Sequence, residues 1–453
     1  MLVRFVFENF MSFRDQQVFS MAAGKYTKHA DHVIHTKGKR LLKGSFLFGA
    51  NAAGKSNLLK AVSFARDIVI EGIKATTLTN RHFRIESVYA EKPGVFQFDI
   101  YINGHFYSYG FAISYDRAKI EEEWLYLCDQ GESAIFERSI EKGHLSVKSS
   151  YRFADPKYKH MFEVYAENVA DDQLLLSEIS ERKLIEYEGF QAFKDVREWF
   201  DRLTIVFPES IFTNKGRFIS EADSSVNTAK LMGAFDTGVE RIEVSQKNID
   251  DVLDFLPEKV KQTLTKDVEN HLNHVSSNGK TPNAVEASVQ GRLFRFEKRD
   301  NQIVASQLMM DHGNRNDPFE MADESDGTQR LFDLIPVYGI ARQPRVVFVD
   351  ELDRSFHTKL VIQYIEWYYK LTSGIESQLI ATVHDANIMD LDLLRQDEIW
   401  FVQREPDHAS TIYSLSMYKE RFDKKISKDY LLGRYGAIPC IDQIDFDTEE
   451  VDD

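Results

Sequence analysis

Lys55 and Ser56 close a glycine-bracketed loop whose residue types and spacing suit a phosphate group. The stretch Gly49–Ser56, "GANAAGKS", fits the pattern G-x-x-x-x-G-K-[ST]. Glycines let backbone N–H groups curl around an anion, and a helix that begins there directs its positive end at the anion. Lys55 would reach the β- and γ-phosphates, and the Ser56 hydroxyl would bind Mg²⁺. Because chance would give this pattern in roughly one such chain in fifty, we interpret the stretch as a P-loop.

Two adjacent carboxylates, Asp350 and Glu351, follow a run that is typical of a buried strand. The run Val346–Val349 contains only β-branched and aromatic residues, as strands buried on both faces do. An acidic residue at the end of such a strand, beside a P-loop, can hold the water shell of Mg²⁺, which is the role expected of Asp350. The next carboxylate, Glu351, can orient and deprotonate an attacking water. The alternative is a pair of surface acids at a strand end.

Two further motifs contain groups that can face a phosphate. His384 ends the apolar run "QLIATVHD", where a histidine can touch a γ-phosphate and sense its loss; the alternative is a satisfied histidine at a strand end. Ser325 and Gly327 open the apolar-periodic stretch "ESDGTQRLFDLIPVY", and at a helix N-terminus they would make a second anion site. The alternative there is a plain N-cap formed by Ser325 or Asp326.

The segments around these residues predict an α/β fold whose parts are split along the chain. A buried strand at Ser45–Phe48 leads into the loop, and Asn103-Gly104 lies between two aromatic-rich runs, which is a strong hairpin signal. From about Asp171 the apolar residues recur at helical spacing. We therefore expect an N-lobe with the loop and antiparallel strands at 1–150, a mainly helical insertion at 151–290, a C-lobe at 291–440 and an acidic tail at 441–453.

Composition favours a globular protein of the cytoplasm. The 453 residues carry a formal net charge of −16, which argues against a surface coated in positive charge for nucleic acid, although a local basic groove is compatible with it. The 2 cysteines are too few for a disulfide framework or a zinc site, so a reducing compartment fits. No apolar run approaches the ~20 residues that span a bilayer, so no membrane association is expected.

Two polar clusters admit more than one interpretation. His29, His32 and His35 recur at three-residue spacing in "KHADHVIH". A metal would need another ligand and a fixed geometry, so we interpret this segment as a polar loop. A basic group could meet nucleic acid or an acidic partner, but a solvated hairpin face explains it better. That group comprises Arg292, Arg295, Lys298 and Arg299.

Taken in order, the motifs resemble those of ATP-binding-cassette (ABC) ATPases of the SMC, RecF and overcoming-lysogenization-defect type. The P-loop, the signature-like "ESDGT", "FVDELD" and a following histidine occur in that order in the family. "FENFMSF", "GANAAGKSN", "DELDRSFH" and "LLGRYGAIP" resemble still more closely the AbiL-type and PARIS-type AAA ATPases of bacterial anti-phage defence operons. The resemblance covers Met1–Ile113 and Phe319–Pro439, and Asp326 stands where the transporter signature has a glycine.

The resemblance implies an ABC-ATPase head, with a P-loop, a mixed sheet flanked by helices and an antiparallel β-subdomain, split by the helical insertion. In that family two heads face each other, and the signature helix of one closes over the ATP held by the other. The resemblance also implies that Ser56 and Asp350 hold Mg²⁺ and that Glu351 is the general base, with Lys55 and His384 acting beside it. The residues implied for ATP or the contact between heads are Asn51, Ala52, Ala53, Gly54, Lys55, Ser56, Asn57, Ser325, Gly327 and Asp353.

Two functions of different classes follow from the resemblance. The first is an ATPase, converting ATP and water to ADP and phosphate, that assembles through its heads and controls a TOPRIM-like or other nuclease effector in anti-phage defence, with a phage protein as trigger. The second is a RecF- or SMC-like DNA-repair ATPase that clamps DNA. The acidic balance favours the first, and the basic cluster at 292–299 would favour the second. A scaffold that binds ATP without hydrolysing it is a third interpretation.

Overall fold

The computed structural model describes residues 1–141, 144–149, 151, 153, 155–182, 184–208, 222–273, 284–289, 292–299, 302–418, 420–421 and 424–439. The acidic tail predicted at 441–453 lies outside the described residues. Among the described helices, none combines the length and the apolar character that crossing a bilayer requires.

The described residues form strands and helices that alternate irregularly along the chain. The strands are β1 Leu2–Glu8, β2 Gln17–Ser20, β3 Val33–His35, β4 Arg40–Leu42, β5 Gly44–Phe48, β6 Gly94–Ile102, β7 His105–Ser114, β8 Lys119–Leu127, β9 Ser133–Glu141, β10 His144–Lys148, β11 Thr204–Val206, β12 Arg241–Asn248, β13 Ala284–Val289, β14 Arg292–Arg299, β15 Gln302–Asp311, β16 Phe319–Glu320, β17 Arg345–Val349, β18 Ser377–Thr382, β19 Ile399–Arg404 and β20 Ser410–Ser414. The helices are α1 Lys55–Glu71, α2 Pro156–Asn168, α3 Leu175–Glu181, α4 Gln191–Arg202, α5 Ala222–Ala234, α6 Ile249–Val252, α7 Glu258–Asn273, α8 Asp326–Ile340, α9 Thr358–Leu371 and α10 Ile426–Leu431.

A mixed six-stranded sheet forms the base of the first compact unit, which comprises Met1–Phe207, Ala341–Asp353 and the chain from Val361 onward. Its strand order is β11-β17-β18-β5-β19-β20, and all neighbours are parallel except β19 and β20. Every residue of β5 and β18 is buried, as expected for central parallel strands. The carboxyl ends of β5, β17 and β18 therefore lie side by side at one edge of this sheet.

An antiparallel seven-stranded sheet completes the same unit, in the order β10-β9-β8-β7-β6-β1-β2. The predicted hairpin is confirmed, because β6 pairs with β7 and both Asn103 (φ 51°) and Gly104 (φ 84°) adopt the left-handed backbone of a two-residue turn. Phe98 on this sheet stacks against Phe5 and packs edge-on against Phe200 of α4, with ring centroids 4.6 and 5.1 Å away. The helical segment before β11 thus shares one core with the sheet.

The second compact unit comprises Pro208–Ile340 and Arg354–Leu360. Its sheet has the order β12-β15-β14-β13, and β16 pairs with β15. Helices α6 and α7 lie within the insertion that the sequence predicts to be mainly helical. Those helices pack on the sheet through a core that includes Leu253, Leu272, Phe294 and Phe296.

The predicted α/β head is confirmed: a P-loop strand, a mixed sheet with helices, an antiparallel sheet and an insertion whose described residues are mainly helical. The two compact units nevertheless divide the chain differently from the four predicted segments. Helices α2, α3 and α4 pack with the first unit because their apolar faces complete its core, so the boundary of that unit falls near Phe207.

Candidate functional site

A tight loop joins β5 to α1 and forms the floor of the site. Gly49 lies so close to strand β19 that a Cβ there would be 2.3 Å from the Val402 carbonyl oxygen. Gly54 has φ 113°, a conformation that side-chain-bearing residues rarely adopt, and α1 begins at the next residue. The first N–H groups of a helix have no partner within it, so the start of α1 offers donors to an anion.

The Lys55 side chain folds back over this loop. Its Nζ donates to the carbonyl oxygens of Gly49 and Ala50 at 2.8 and 3.0 Å. Burial lowers the pKa of the Lys55 ammonium, and the carboxylates of Asp350, Asp353 and Glu351 oppose that shift. A buried ammonium held at a helix start by weak carbonyl acceptors is a suitable group for a phosphate, which fits the ATP predicted for this loop.

Ser56 and Asp350 meet across two neighbouring elements, as the sequence predicts for a Mg²⁺ pair. The Ser56 hydroxyl donates to Asp350 Oδ1 at 3.1 Å, and the Asp350 side chain is buried. Mg²⁺ prefers oxygen ligands at about 2.1 Å in an octahedron, whose adjacent ligands lie about 3.0 Å apart. The observed separation and the two hard oxygen ligands therefore fit Mg²⁺.

Thr382 connects the two acidic residues, and the sequence analysis did not identify it. Its hydroxyl donates to Asp350 Oδ1 at 2.6 Å and accepts from the Glu351 backbone N–H at 2.7 Å. The threonine is fully buried at the end of β18. A sequence signal did exist, because Thr382 is the last residue of a strand that leads to His384. The contact itself depends on the pairing of β18 with β17.

Glu351 turns out of its strand through a left-handed backbone conformation. Its φ is 49°, which is uncommon for a residue other than glycine and costs of order 1–3 kcal/mol where it is held. The side chain is 33% exposed, and Oε1 lies 3.8 Å from His384 Nε2, beyond hydrogen-bond distance. Both side chains are partly exposed, so one water or phosphate oxygen could contact both of them.

Asp353 fixes the backbone that carries His384. Its Oδ2 accepts from the backbone N–H groups of His384 and Asp385 at 2.8 and 2.7 Å. Its Oδ1 is buried and accepts no hydrogen bond from any described residue. Asp353 thus holds the backbone of its own chain. The role predicted for it from the sequence, at the contact between heads, is a separate one.

Replacement of Thr382 by valine should impair catalysis more than folding. Valine keeps the shape but removes the hydroxyl, so Asp350 Oδ1 loses the donor that accompanies Ser56 and the Glu351 N–H loses the hydroxyl as acceptor; such losses cost about 1–3 kcal/mol. We expect kcat for ATP hydrolysis to fall roughly 10- to 100-fold with a smaller change in KM. The Thr382→Ser variant retains the hydroxyl and is the matched control. Equal kcat for the valine and serine variants would contradict this role.

The other residues of this loop and helix start that are predicted to contact ATP differ in their exposure and in their hydrogen bonds. Asn51 and Ala52 are exposed, and Ala52 has φ 60°. The Ala53 carbonyl accepts from Ser410 at 2.7 Å, and the Asn57 amide donates to Ser12 at 2.8 Å. Further contacts to the loop therefore come from two serines that the sequence analysis did not identify, Ser12 and Ser410.

The signature residues Ser325 and Gly327 belong to the second unit. Ser325 Oγ accepts from the Thr328 N–H at 3.2 Å, which is the bond of an N-cap. A Cβ at Gly327 would lie 3.0 Å from the Ser355 carbonyl oxygen, so this turn is closely packed. The capping role is present, and it leaves a helix start of the kind that binds anions.

Two carboxylates offset part of the positive charge of the basic cluster at 292–299. Glu297 pairs with both Arg295 and Arg299, at 2.7 and 2.8 Å, and Arg292 pairs with Glu320 at 2.7 Å. Such paired charges are worth little as a field for phosphates. These pairs agree with a solvated hairpin face.

Comparison with known proteins identifies one family and several similar structures. The family described as "AAA domain, putative AbiEii toxin, Type IV TA system" matches residues 45–390. An Smc head bound to the C-winged helix domain of ScpA is 16% identical and covers 91% of this chain and 97% of that chain, with a TM-score of 0.38. The SMC head domain from Thermotoga maritima is 12% identical, with 91% and 98% coverage and a TM-score of 0.35.

An Smc head domain with an extended coiled coil, bound to the C-terminal domain of ScpA derived from Pyrococcus furiosus, is also similar. It is 14% identical and covers 96% of this chain and 99% of that chain, with a TM-score of 0.38. The comparison with curated proteins finds no match.

Proposed function

The chain belongs to the AAA-domain family described as putative AbiEii toxins of type IV toxin–antitoxin systems, and from that premise we propose that it binds and hydrolyses ATP. The observation that supports this best is the cluster at the carboxyl ends of β5, β17 and β18. There Ser56, Asp350 and Thr382 are joined by hydrogen bonds, and Glu351 and His384 are presented beside them. This is the set of groups that phosphoryl transfer to water requires.

Each residue of the cluster has a distinct task in this proposal. Lys55 and the loop amides hold the phosphates, and Ser56 and Asp350 hold Mg²⁺, which when bound offsets phosphate charge. Glu351 orients the attacking water and accepts its proton, and its accessible carboxylate beside His384 suits that task. His384 contacts the terminal phosphate, and this contact is lost when that phosphate leaves.

Two copies of the chain assemble around ATP in this proposal. Ser325 and Gly327 of one copy then face the phosphates held by Lys55 of the other. The capped, closely packed start of α8 supports this assignment, because it presents N–H donors in a fixed arrangement. Asp353, which follows the catalytic carboxylates, lies near the contact between heads.

The assembled heads control a partner effector in anti-phage defence, as in AbiL-type or PARIS-type ATPases. Support comes from the four motif segments that resemble that group and from the toxin–antitoxin description of the family. The effector is a TOPRIM-like or other nuclease on a separate polypeptide, and a phage protein is the trigger. The DNA-clamping alternative is not favoured, because the arginines of the basic cluster pair with Glu297 and Glu320.

Phage challenge of cells tests the defence role. Cells that carry this gene with its genomic neighbour should form fewer plaques than cells with an empty vector. Lys55→Ala should restore plaque numbers, and the Lys60→Ala variant, changed at an exposed lysine of the same helix, should protect like the wild type. Unchanged plaque counts across a panel of phages, with retention of duplex DNA on filters at rising salt, would favour the DNA clamp instead.

A further inference from the structure

A second group of metal-binding residue types lies at the opposite end of the mixed sheet from the P-loop. His29, Asp31 and His32 each offer one ligand atom, and these atoms lie within 4.8 Å of one another. In the sequence, His29 and His32 share a three-residue spacing with His35, which we interpret as a polar loop. The structure instead places exposed His35 on β3 and brings Asp31 to the other two.

The position of this group separates it from the proposed ATP site. His32 stacks on Tyr369 with ring centroids 3.4 Å apart, and Glu398, which immediately precedes β19, binds both rings. A Cβ on Gly44, the first residue of β5, would lie 2.0 Å from the Tyr369 hydroxyl. The P-loop follows the other end of this five-residue strand, about 15 Å away.

Hydrogen bonds fix which ring nitrogens are available. His29 Nε2 donates to the Leu391 carbonyl oxygen at 3.0 Å, so Nδ1 carries its lone pair. His32 Nδ1 donates to the carboxylate of Glu398, at 3.1 Å from both oxygens, so Nε2 carries its lone pair. A histidine whose second nitrogen donates to a carboxylate or a backbone carbonyl is the usual arrangement in metal sites. Each ring therefore keeps one nitrogen lone pair for a metal ion.

Packing holds the buried His32 ring, whereas His29 and Asp31 are less buried and can move. The His32 ring lies between Tyr369 and His29, whose ring centroid is 4.8 Å away. Asp31 is exposed. In a tetrahedral site with bonds of about 2.1 Å, the ligand atoms lie about 3.4 Å apart. Because the His29 and His32 rings are stacked with an interplanar angle of 24°, the His29 ring must turn and Asp31 must change rotamer to bring the three ligand atoms to that distance.

From this geometry we propose that His29 Nδ1, His32 Nε2 and the Asp31 carboxylate bind one divalent transition metal ion, with Zn²⁺ the best match. Two imidazoles and one carboxylate suit Zn²⁺ more than Mg²⁺ or Ca²⁺, and three protein ligands leave one position for water. Glu366 and Asp392 line the adjoining cavity of about 440 Å³, which also contains Lys370.

Zinc titration of the full-length chain, freed of purification tag, chelator-treated and without nucleotide, tests the site. Calorimetry and competition with a chromogenic chelator should give one tight Zn²⁺ per chain. Asp31→Ala and His29→Ala, both at residues that are not fully buried, should each lower the affinity at least about tenfold. His35→Ala, a matched histidine on the same segment, should bind like the wild type, and bound Co²⁺ should show the visible spectrum of a four-coordinate site.

Failure of the wild type to bind one Zn²⁺ would overturn the proposal and leave the histidine stack a packing feature. Equal weakening by His35→Ala and Asp31→Ala would overturn it too, because the bound ion would then lie elsewhere. The Co²⁺ spectrum of an octahedral aquo ion would contradict the assigned ligand set. Folding of each variant is checked by its urea midpoint, and neither result depends on ATP hydrolysis.

Discussion

Glu351→Gln should release phosphate from ATP about 10²- to 10⁴-fold more slowly than the wild type, because the amide cannot accept the proton of the attacking water. ATP affinity should be nearly unchanged. Glu351 makes its backbone contact through N–H to Thr382, which the substitution retains, and Ser56 and Asp350 are untouched. The measurement is single-turnover phosphate release at saturating ATP and Mg²⁺, with equilibrium binding of a fluorescent ATP analogue measured in parallel.

A matched carboxylate elsewhere provides the control for this prediction. Glu71 ends α1 and is exposed, so Glu71→Gln removes the same charge without touching the cluster and should hydrolyse ATP at the wild-type rate. Wild-type phosphate release by Glu351→Gln would show that another group is the base. If neither the wild type nor the variant released phosphate, the chain would be the non-hydrolysing scaffold.

Lys55→Ala should lose ATP affinity by roughly 10- to 150-fold, the equivalent of one charge-assisted hydrogen bond of about 1.5–3 kcal/mol. The Lys55 side chain is buried against the loop. Burial lowers the pKa of its ammonium, and three nearby carboxylates oppose that shift. Removing the ammonium takes away a positive charge that acts on Asp350 and Glu351, so a polyanionic ligand meets a more negative site. The loss should therefore be greater for ATP than for adenosine, as measured by calorimetry without hydrolysis.

Lys60→Ala is the control for Lys55→Ala, because Lys60 is exposed on the same helix and carries the same charge. It should bind ATP like the wild type. A Lys55→Ala variant that is folded by its urea midpoint and binds ATP within about twofold of wild type would rule out the loop as the phosphate site.

The functional residues that could be predicted from the sequence are those whose geometry is set locally. The P-loop needs only a strand, two glycines and a helix start, so Lys55 and Ser56 were identified without knowing the sheet. Asp350 and Glu351 follow the end of their own strand, and their alignment with Ser56 follows from the rule that carboxyl ends of parallel strands meet at one edge. The Asn103-Gly104 hairpin is likewise a property of two residues.

The contacts that could not be predicted depend on which strands become neighbours. Thr382 reaches Asp350 because β18 pairs with β17, a pairing that no short sequence window contains. Ser12 and Ser410, which contact the P-loop and its helix, come from distant segments of the chain. The Asn57 amide, predicted to contact ATP, donates a hydrogen bond to Ser12. Side-chain partners of this kind are fixed by tertiary packing rather than by periodicity.

The second unit shows the same limit at the level of secondary structure. Its strands β12 and β13 lie within the segment 151–290, which the sequence predicts to be mainly helical, and β12 is recognisable only through its pairing with β15. The histidine segment has a related limit. The orientation of His32 comes from a hydrogen bond to Glu398, 366 positions away, so the spacing of the histidines does not indicate Asp31 as a third ligand. Sequence spacing alone could not supply that orientation.

Sedimentation of Glu351→Gln with Mg²⁺ and ATP tests most directly whether two copies close over the nucleotide. The proposal predicts that ATP shifts this variant to a larger species than apo protein, and that adding Ser325→Arg, at the N-cap of α8, abolishes the shift. Gly339→Arg, on an exposed position of the same helix, should leave the shift intact. ATP-bound Glu351→Gln that sediments like the apo protein, or a shift that survives Ser325→Arg, would contradict the account.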